Sequence, residues 1–209
     1  MALTPPHSSS RRRAVFLDKD GTLIENVPFN VDRQRIRLAP GAADGLPRLS
    51  AAGFVLAVVS NQSGVARGLF REEALAGVEL GLRELVAGTG ATLAGFYYCP
   101  HDPEGSVAAY RRACQCRKPA SGLLRFAALE LDVDLAASWL VGDILDDVEA
   151  GRGAGCRTIL IDNGNETEWR LSRERLPDHV VGDMSEAARL IVALEAAGVR
   201  DGGTDREVA

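Results

Sequence analysis

Two aspartates two residues apart, in the run Asp18-Lys19-Asp20-Gly21-Thr22, follow directly on an apolar stretch. A buried pair of anions is costly unless a cation neutralises it. A third carboxylate, Asp143, ends a second apolar stretch, and Asp147 lies one helical turn beyond it. Hard oxygen donors at adjacent strand ends suit Mg²⁺, which prefers carboxylates, water and phosphate oxygens. An isolated Asp-Gly would be no more than a turn. That bland reading leaves three things unexplained: the apolar strand before the motif, Ser60-Asn61 at the end of another, and Arg117-Lys118 and Gly142-Asp143 following in order.

A second constellation is Cys99-Pro100-His101 followed by Cys114-Gln115-Cys116, a C-x-H-x12-C-x-C pattern. Four soft or borderline ligands in two tight pairs suit tetrahedral Zn²⁺. Four protein ligands fill its coordination sphere, so such a zinc is structural. A lone cysteine is usually a small buried hydrophobe. Cys156 is read that way, and His7 and His179 are read as bystanders.

These groups need elements to position them. Ala14 to Asp18, Gly53 to Asn61, residues 95–98, Ser138 to Asp143 and Arg157 to Asp162 read as buried strands, with a last one over Val180 to Met184. Helices are expected over Ala42 to Ala52 with Pro47 early in the segment, and over Arg71 to Gly88, where Leu75, Val78, Leu82, Leu85 and Val86 recur every three or four residues. Others are expected over Ser121 to Asp132, Asp146 to Gly155 and Ser185 to Gly198, the last with Ser185 as its N-cap. Strands that alternate with helices, and that are continuously apolar, argue for a Rossmann-like α/β three-layer sandwich with a mainly parallel sheet. In such sheets ligands bind beyond the carboxyl ends of the strands, where Asp18, Ser60 and Asp143 fall.

This order of motifs resembles the haloacid dehalogenase superfamily of Asp-nucleophile phosphohydrolases. The matching positions are Asp18-Lys19-Asp20-Gly21-Thr22, Ser60, Lys118, and Gly142-Asp143 with Asp147. The resemblance implies that Asp18 attacks phosphorus, that Asp20 serves as general acid and then base, and that Ser60 and Lys118 hold the non-bridging oxygens. It also implies that Asp18, the Asp20 carbonyl and Asp143 ligate Mg²⁺. An acid at position 20 suits an alkoxide leaving group rather than a halide, hence a phosphate ester. Cys116 runs straight into Arg117-Lys118-Pro119, so a zinc-stapled loop (residues 99–118) would deliver a guanidinium and an ammonium to the phosphate.

With the zinc pattern added, the chain is similar to the heptose 1,7-bisphosphate phosphatases, and to the histidinol-phosphate phosphatases as relatives with a shorter loop. That likeness implies a C7 phosphate ester of a heptose bisphosphate as substrate, with histidinol phosphate or another small sugar phosphate as the alternative. Asn26, Phe29, Ser60, Asn61, Gln62, Ser63, Arg117 and Lys118 would line its site. Two departures stand out. Asn26-Val27-Pro28-Phe29 replaces the usual Asp-His-Gly-Tyr-like segment, and Ile144 replaces a usual lysine.

The 209 residues suit one domain, and 24 Lys+Arg against 29 Asp+Glu gives a net charge of −5. That balance argues against a nucleic-acid-binding module, which needs a basic footprint. No apolar run approaches a membrane span. The opening MALTPPHSSSRRR lacks the apolar core of a secretory signal, so a cytoplasmic protein is expected. The expected organisation is a disordered leader (1–13), one phosphatase domain without a large cap (14–198) and a disordered tail (199–209). A monomer is expected.

Overall fold

The computed structural model describes residues 12–198, so the leader up to residue 11 and the tail from 199 lie outside the described residues. Six strands form one sheet: β1 (Ala14–Leu17), β2 (Val55–Asn61), β3 (Leu93–Cys99), β4 (Trp139–Gly142), β5 (Arg157–Ile161) and β6 (His179–Val181). The order is β3-β2-β1-β4-β5-β6, and every pairing is parallel. The sequence therefore reverses direction across the sheet at β1, flanked by β2 and β4. A crevice opens at the carboxyl end of such a switch point.

Strand alternation sorts the side chains between two layers. Val15 and Leu17 of β1 and Leu56 and Val58 of β2 pack with α1 (Ala42–Ala51), α2 (Ala74–Gly88) and α5 (Met184–Ala196). Ala14, Phe16, Ala57 and Val59 face α3 (Gly122–Leu131) and α4 (Leu145–Ala154). Six of the thirteen buried residues in that second layer are alanines. No cap domain is inserted among the described residues. Only short turns, α1 and a 3-10 turn at Arg33–Arg35 separate β1 from β2.

Three expectations need correction. Pro47 is the sixth residue of α1 rather than an early one, so its missing N–H falls inside the helix and removes one i→i−4 bond. Asp183, not Ser185, caps α5, its carboxylate accepting from the Glu186 N–H at 2.8 Å. Ser185 lies within the first turn. Arg12 and Arg13, assigned to the leader, are part of the fold. Arg12 forms a bridge with Val133, and Arg13 pairs with Glu195 at 2.5 Å while stacking over Phe54.

Candidate active site

The site forms where β1, β2 and β4 end. Asp18, Asp143 and Asp147 place carboxylate oxygens within 4.8 Å of one another, and all three are buried. Asp18 leaves β1 with its N–H bonded to the Val141 carbonyl at 2.9 Å. The turn that follows closes through Gly21 N–H to the Ile24 carbonyl at 2.7 Å. Gly21 has φ +88°, and a Cβ there would collide with Asp143 Oδ2 and Asn165 Nδ2. Only glycine fits both demands.

Lys118 arrives from the far side of the zinc-pattern loop. Its ammonium is 2% exposed and lies 2.5 Å from Asp18 Oδ1, 2.5 Å from Asp147 Oδ1 and 3.0 Å from the Val59 carbonyl. Burial opposes its charge, but Asp147 and Asp18 outweigh that and move its pKa up. Asn61 holds the Lys118 backbone in both directions, donating to its carbonyl at 2.9 Å and accepting from its N–H at 3.0 Å. Asn61, expected to line the substrate site, thus spends its amide on Lys118. Ser60 is buried at the end of β2 and accepts from Gln62 Nε2 at 2.8 Å.

Charge balance tests whether these residues fit a divalent cation. Three buried carboxylates and one buried ammonium leave two negative charges in a low-dielectric pocket. Burial, then Asp18 and Asp147, pushes Asp143 up to about 7. Burial likewise takes Asp147 to about 6, against the pull of Lys118. A divalent cation would supply the missing charge, and the all-oxygen donor set is the one hard cations take. Asp20 lies outside this cluster. Its carboxylate is 2.7 Å from the ammonium of Lys19, which is itself 1% exposed. Burial raises Asp20, and Lys19 pulls it back.

The second cluster brings Cys99, His101, Cys114 and Cys116 together. The three sulfurs lie 3.0 to 3.5 Å apart, and His101 Nδ1 is 3.3 Å from Cys116 and 3.6 Å from Cys99. These edges suit four ligands around one tetrahedral ion with bonds of roughly 2.3 Å. Burial raises the Cys99 and Cys116 thiols, and three thiolates this close need a metal to stay ionised together. The loop is also tied to the segment after β2. Val107 N–H donates to the Ala66 carbonyl at 2.8 Å, Arg67 Nε to Asp102 at 2.7 Å, and Tyr110 OH to Glu72 at 2.5 Å.

The remaining expected residues have other surroundings. Phe29 is 44% exposed at φ +54°, with the Arg67 guanidinium 5.6 Å from its ring centroid. Asn26 is exposed, Ser63 half-buried, and Arg117 donates to the His101 carbonyl at 3.2 Å. Ile144 is the N-cap of α4, and its side chain has no acceptor to offer the helix N–H groups. Cys156 is a buried thiol pushed up to about 12 by its surroundings, and His179 stacks at 6.0 Å from Trp139. Sequence reasoning missed Asn165, which donates to Asp143 Oδ2 at 2.6 Å. The Asn163-Gly164-Asn165 run signals only a turn.

Residues 115–187 match the HAD-hydrolase-like family model. The D-glycero-beta-D-manno-heptose-1,7-bisphosphate 7-phosphatase of Yersinia pestis is 36% identical over 181 residues, covering 86% of this chain and 95% of that protein. The Escherichia coli K12 protein of the same name is 38% identical over 168 residues, covering 76% and 88%. Among solved structures, a HAD-like phosphatase from Mesorhizobium loti superposes with a TM-score of 0.77 at 30% identity, covering 96% of this chain and 94% of that one. The D,D-heptose 1,7-bisphosphate phosphatase of B. bronchiseptica, complexed with magnesium and phosphate, gives 0.71 at 28% identity, covering 87% and 98%.

Proposed function

The chain belongs to the HAD-like hydrolases, in the heptose 1,7-bisphosphate 7-phosphatase family, and from that premise we propose that it removes the C7 phosphate of D-glycero-D-manno-heptose 1,7-bisphosphate. The reading is carried by one observation: a buried Asp18 held 2.5 Å from the Lys118 ammonium, among strand-end carboxylates.

The chain's own groups account for both half-reactions. An Asp18 oxygen forms a bond to phosphorus as the ester P–O bond breaks. Asp20 gives its proton to the departing alkoxide. It then takes a proton from water, whose oxygen attacks phosphorus and frees inorganic phosphate and Asp18. Lys118 and Ser60 hold the non-bridging oxygens as charge builds on them. Asp18, the Asp20 carbonyl and Asp143 would hold Mg²⁺, with Asp147 beside them, and the ion would offset the phosphate's charge next to the attacking carboxylate. Cys99, His101, Cys114 and Cys116 would hold a structural Zn²⁺. Asn26, Phe29, Gln62, Ser63 and Arg117 would contact the sugar and its second phosphate. A monomer in the cytoplasm is the simplest setting, and no helix among the described residues is long and apolar enough to cross a membrane.

Phosphate release measured on both heptose bisphosphate anomers and on histidinol phosphate, with and without Mg²⁺, tests this reading. Mg²⁺-dependent turnover of a heptose bisphosphate well above that of histidinol phosphate is expected. Faster hydrolysis of histidinol phosphate would overturn the substrate. Turnover retained in Asp18→Asn would overturn the covalent route.

A further inference from the structure

Between β5 and β6 the chain runs from residue 162 to 178 without a helix or strand. Connections this long inside a compact domain usually carry function. This one is fastened along its length. Asn163 Nδ2 donates to the Gly21 carbonyl at 2.7 Å, Asn165 Nδ2 to Asp143 Oδ2 at 2.6 Å, and Glu166 Oε2 accepts the Leu145 N–H at 2.7 Å. Farther on, Arg175 pairs with Asp146 at 2.5 Å, and Asp178 accepts from Thr158 N–H at 2.7 Å and from Arg152 at 2.9 Å.

The first three bonds fall on three separate parts of the carboxylate cluster's frame. One reaches the turn after Asp18. One reaches the carboxylate that ends β4. The third reaches the first N–H of the helix that carries Asp147. Ile144 cannot cap that helix, and Glu166 supplies the acceptor from 21 residues away.

The bond to Asp143 has a further consequence. A carboxylate at a strand end turns freely about its last torsion unless something holds one oxygen. Asn165 holds Oδ2, whereas Thr22 Oγ1 stands 3.4 Å from Oδ1, long for a hydroxyl bond. The partner is an acceptor, so the amide must present its nitrogen there. The donor is neutral, so it orients the carboxylate without taking the place of a cation. We propose that Asn165 is a positioning residue for the divalent-cation site, fixing the plane of the Asp143 carboxylate for the ion.

This rests on reading the carboxylate cluster as a cation site, and the test separates the two. Mg²⁺ binding to the full-length wild-type protein, Asn165→Ala and Glu166→Ala is measured by titration calorimetry, and melting temperature is read without metal. Outer-shell partners typically govern affinity by about 10–100-fold, so Asn165→Ala should weaken Mg²⁺ by about that factor. Glu166→Ala should lower the melting temperature while leaving Mg²⁺ affinity within about twofold, because it removes the acceptor for the Leu145 N–H rather than a ligand's partner. Should Asn165→Ala not fold, Asn165→Ser keeps a donor and should give an intermediate loss of affinity. Unchanged Mg²⁺ affinity in a folded Asn165 variant, with wild-type binding intact, overturns the positioning role alone. Wild-type protein that binds no Mg²⁺ overturns the cation site and the proposal with it.

Discussion

Lys118 carries more of this site than any other single side chain. It neutralises one of three buried carboxylates and contacts two of them at 2.5 Å. Removing one partner of a buried ion pair strands the other charge, at a cost of about 3–5 kcal/mol. Lys118→Ala should therefore melt at a clearly lower temperature without metal. Losing a donor aimed at developing oxyanion charge should also cut kcat by about 10²–10³-fold. Phosphate release and calorimetry on the same preparation read both, and near-native turnover would remove Lys118 from the chemistry. This residue was legible in the sequence, because it stands two residues after the Cys-x-Cys pair and a resemblance assigned it. The Lys19–Asp20 pair was not. Adjacent side chains on an extended chain point to opposite faces, and the two meet because the turn after Asp18 folds them onto one side.

At the scale of elements, the zinc-pattern loop brings Cys99, His101, Cys114 and Cys116 together. Cys114→Ser should reduce bound zinc from about one ion per chain toward zero, by elemental analysis, and lower the melting temperature. Activity should fall with it, because Lys118 stands two residues from Cys116. A stable, zinc-free, fully active variant would contradict the structural role. Element positions were readable wherever an apolar run carried its own period, as in β2 and α2. What escaped depends on partners far away in the chain. Arg13 reads as a solvated basic end until Glu195, 182 residues on, is brought beside it. Asn165 and Glu166 read as a turn until α4 and Asp143 meet them. Ser185 had the residue type of a cap, and Asp183 had the position.

The whole molecule is closed by the same long-range contacts. Glu195 on α5 gathers Arg13 from the entry to β1 and Arg157 from β5, and also accepts from Trp139 Nε1 at 3.3 Å. Burial works against its charge, but the bond to Arg157 and the attraction of its guanidinium hold the Glu195 pKa below the usual glutamate value of 4.5. A depressed folded pKa means stability that is present above the unfolded value and lost as pH falls through the folded one. Wild-type melting temperature should therefore drop below about pH 4.5, and Glu195→Gln should flatten that part of the drop. The active-site end behaves differently. Its two surplus negative charges oppose folding until a cation binds, so Mg²⁺ should stabilise the native chain by mass action. At a hundredfold excess over Kd the gain is about 2.7 kcal/mol. For a chain of this size each kcal/mol moves the melting temperature by roughly 2–4 °C. Mg²⁺ should thus raise it by about 5–11 °C, and EDTA should reverse the shift. Asp147→Asn removes one of those charges, so it should melt higher than wild type without Mg²⁺ and gain less when the ion is added. A larger Mg²⁺ shift in Asp147→Asn than in wild type would place the surplus charge elsewhere in the molecule.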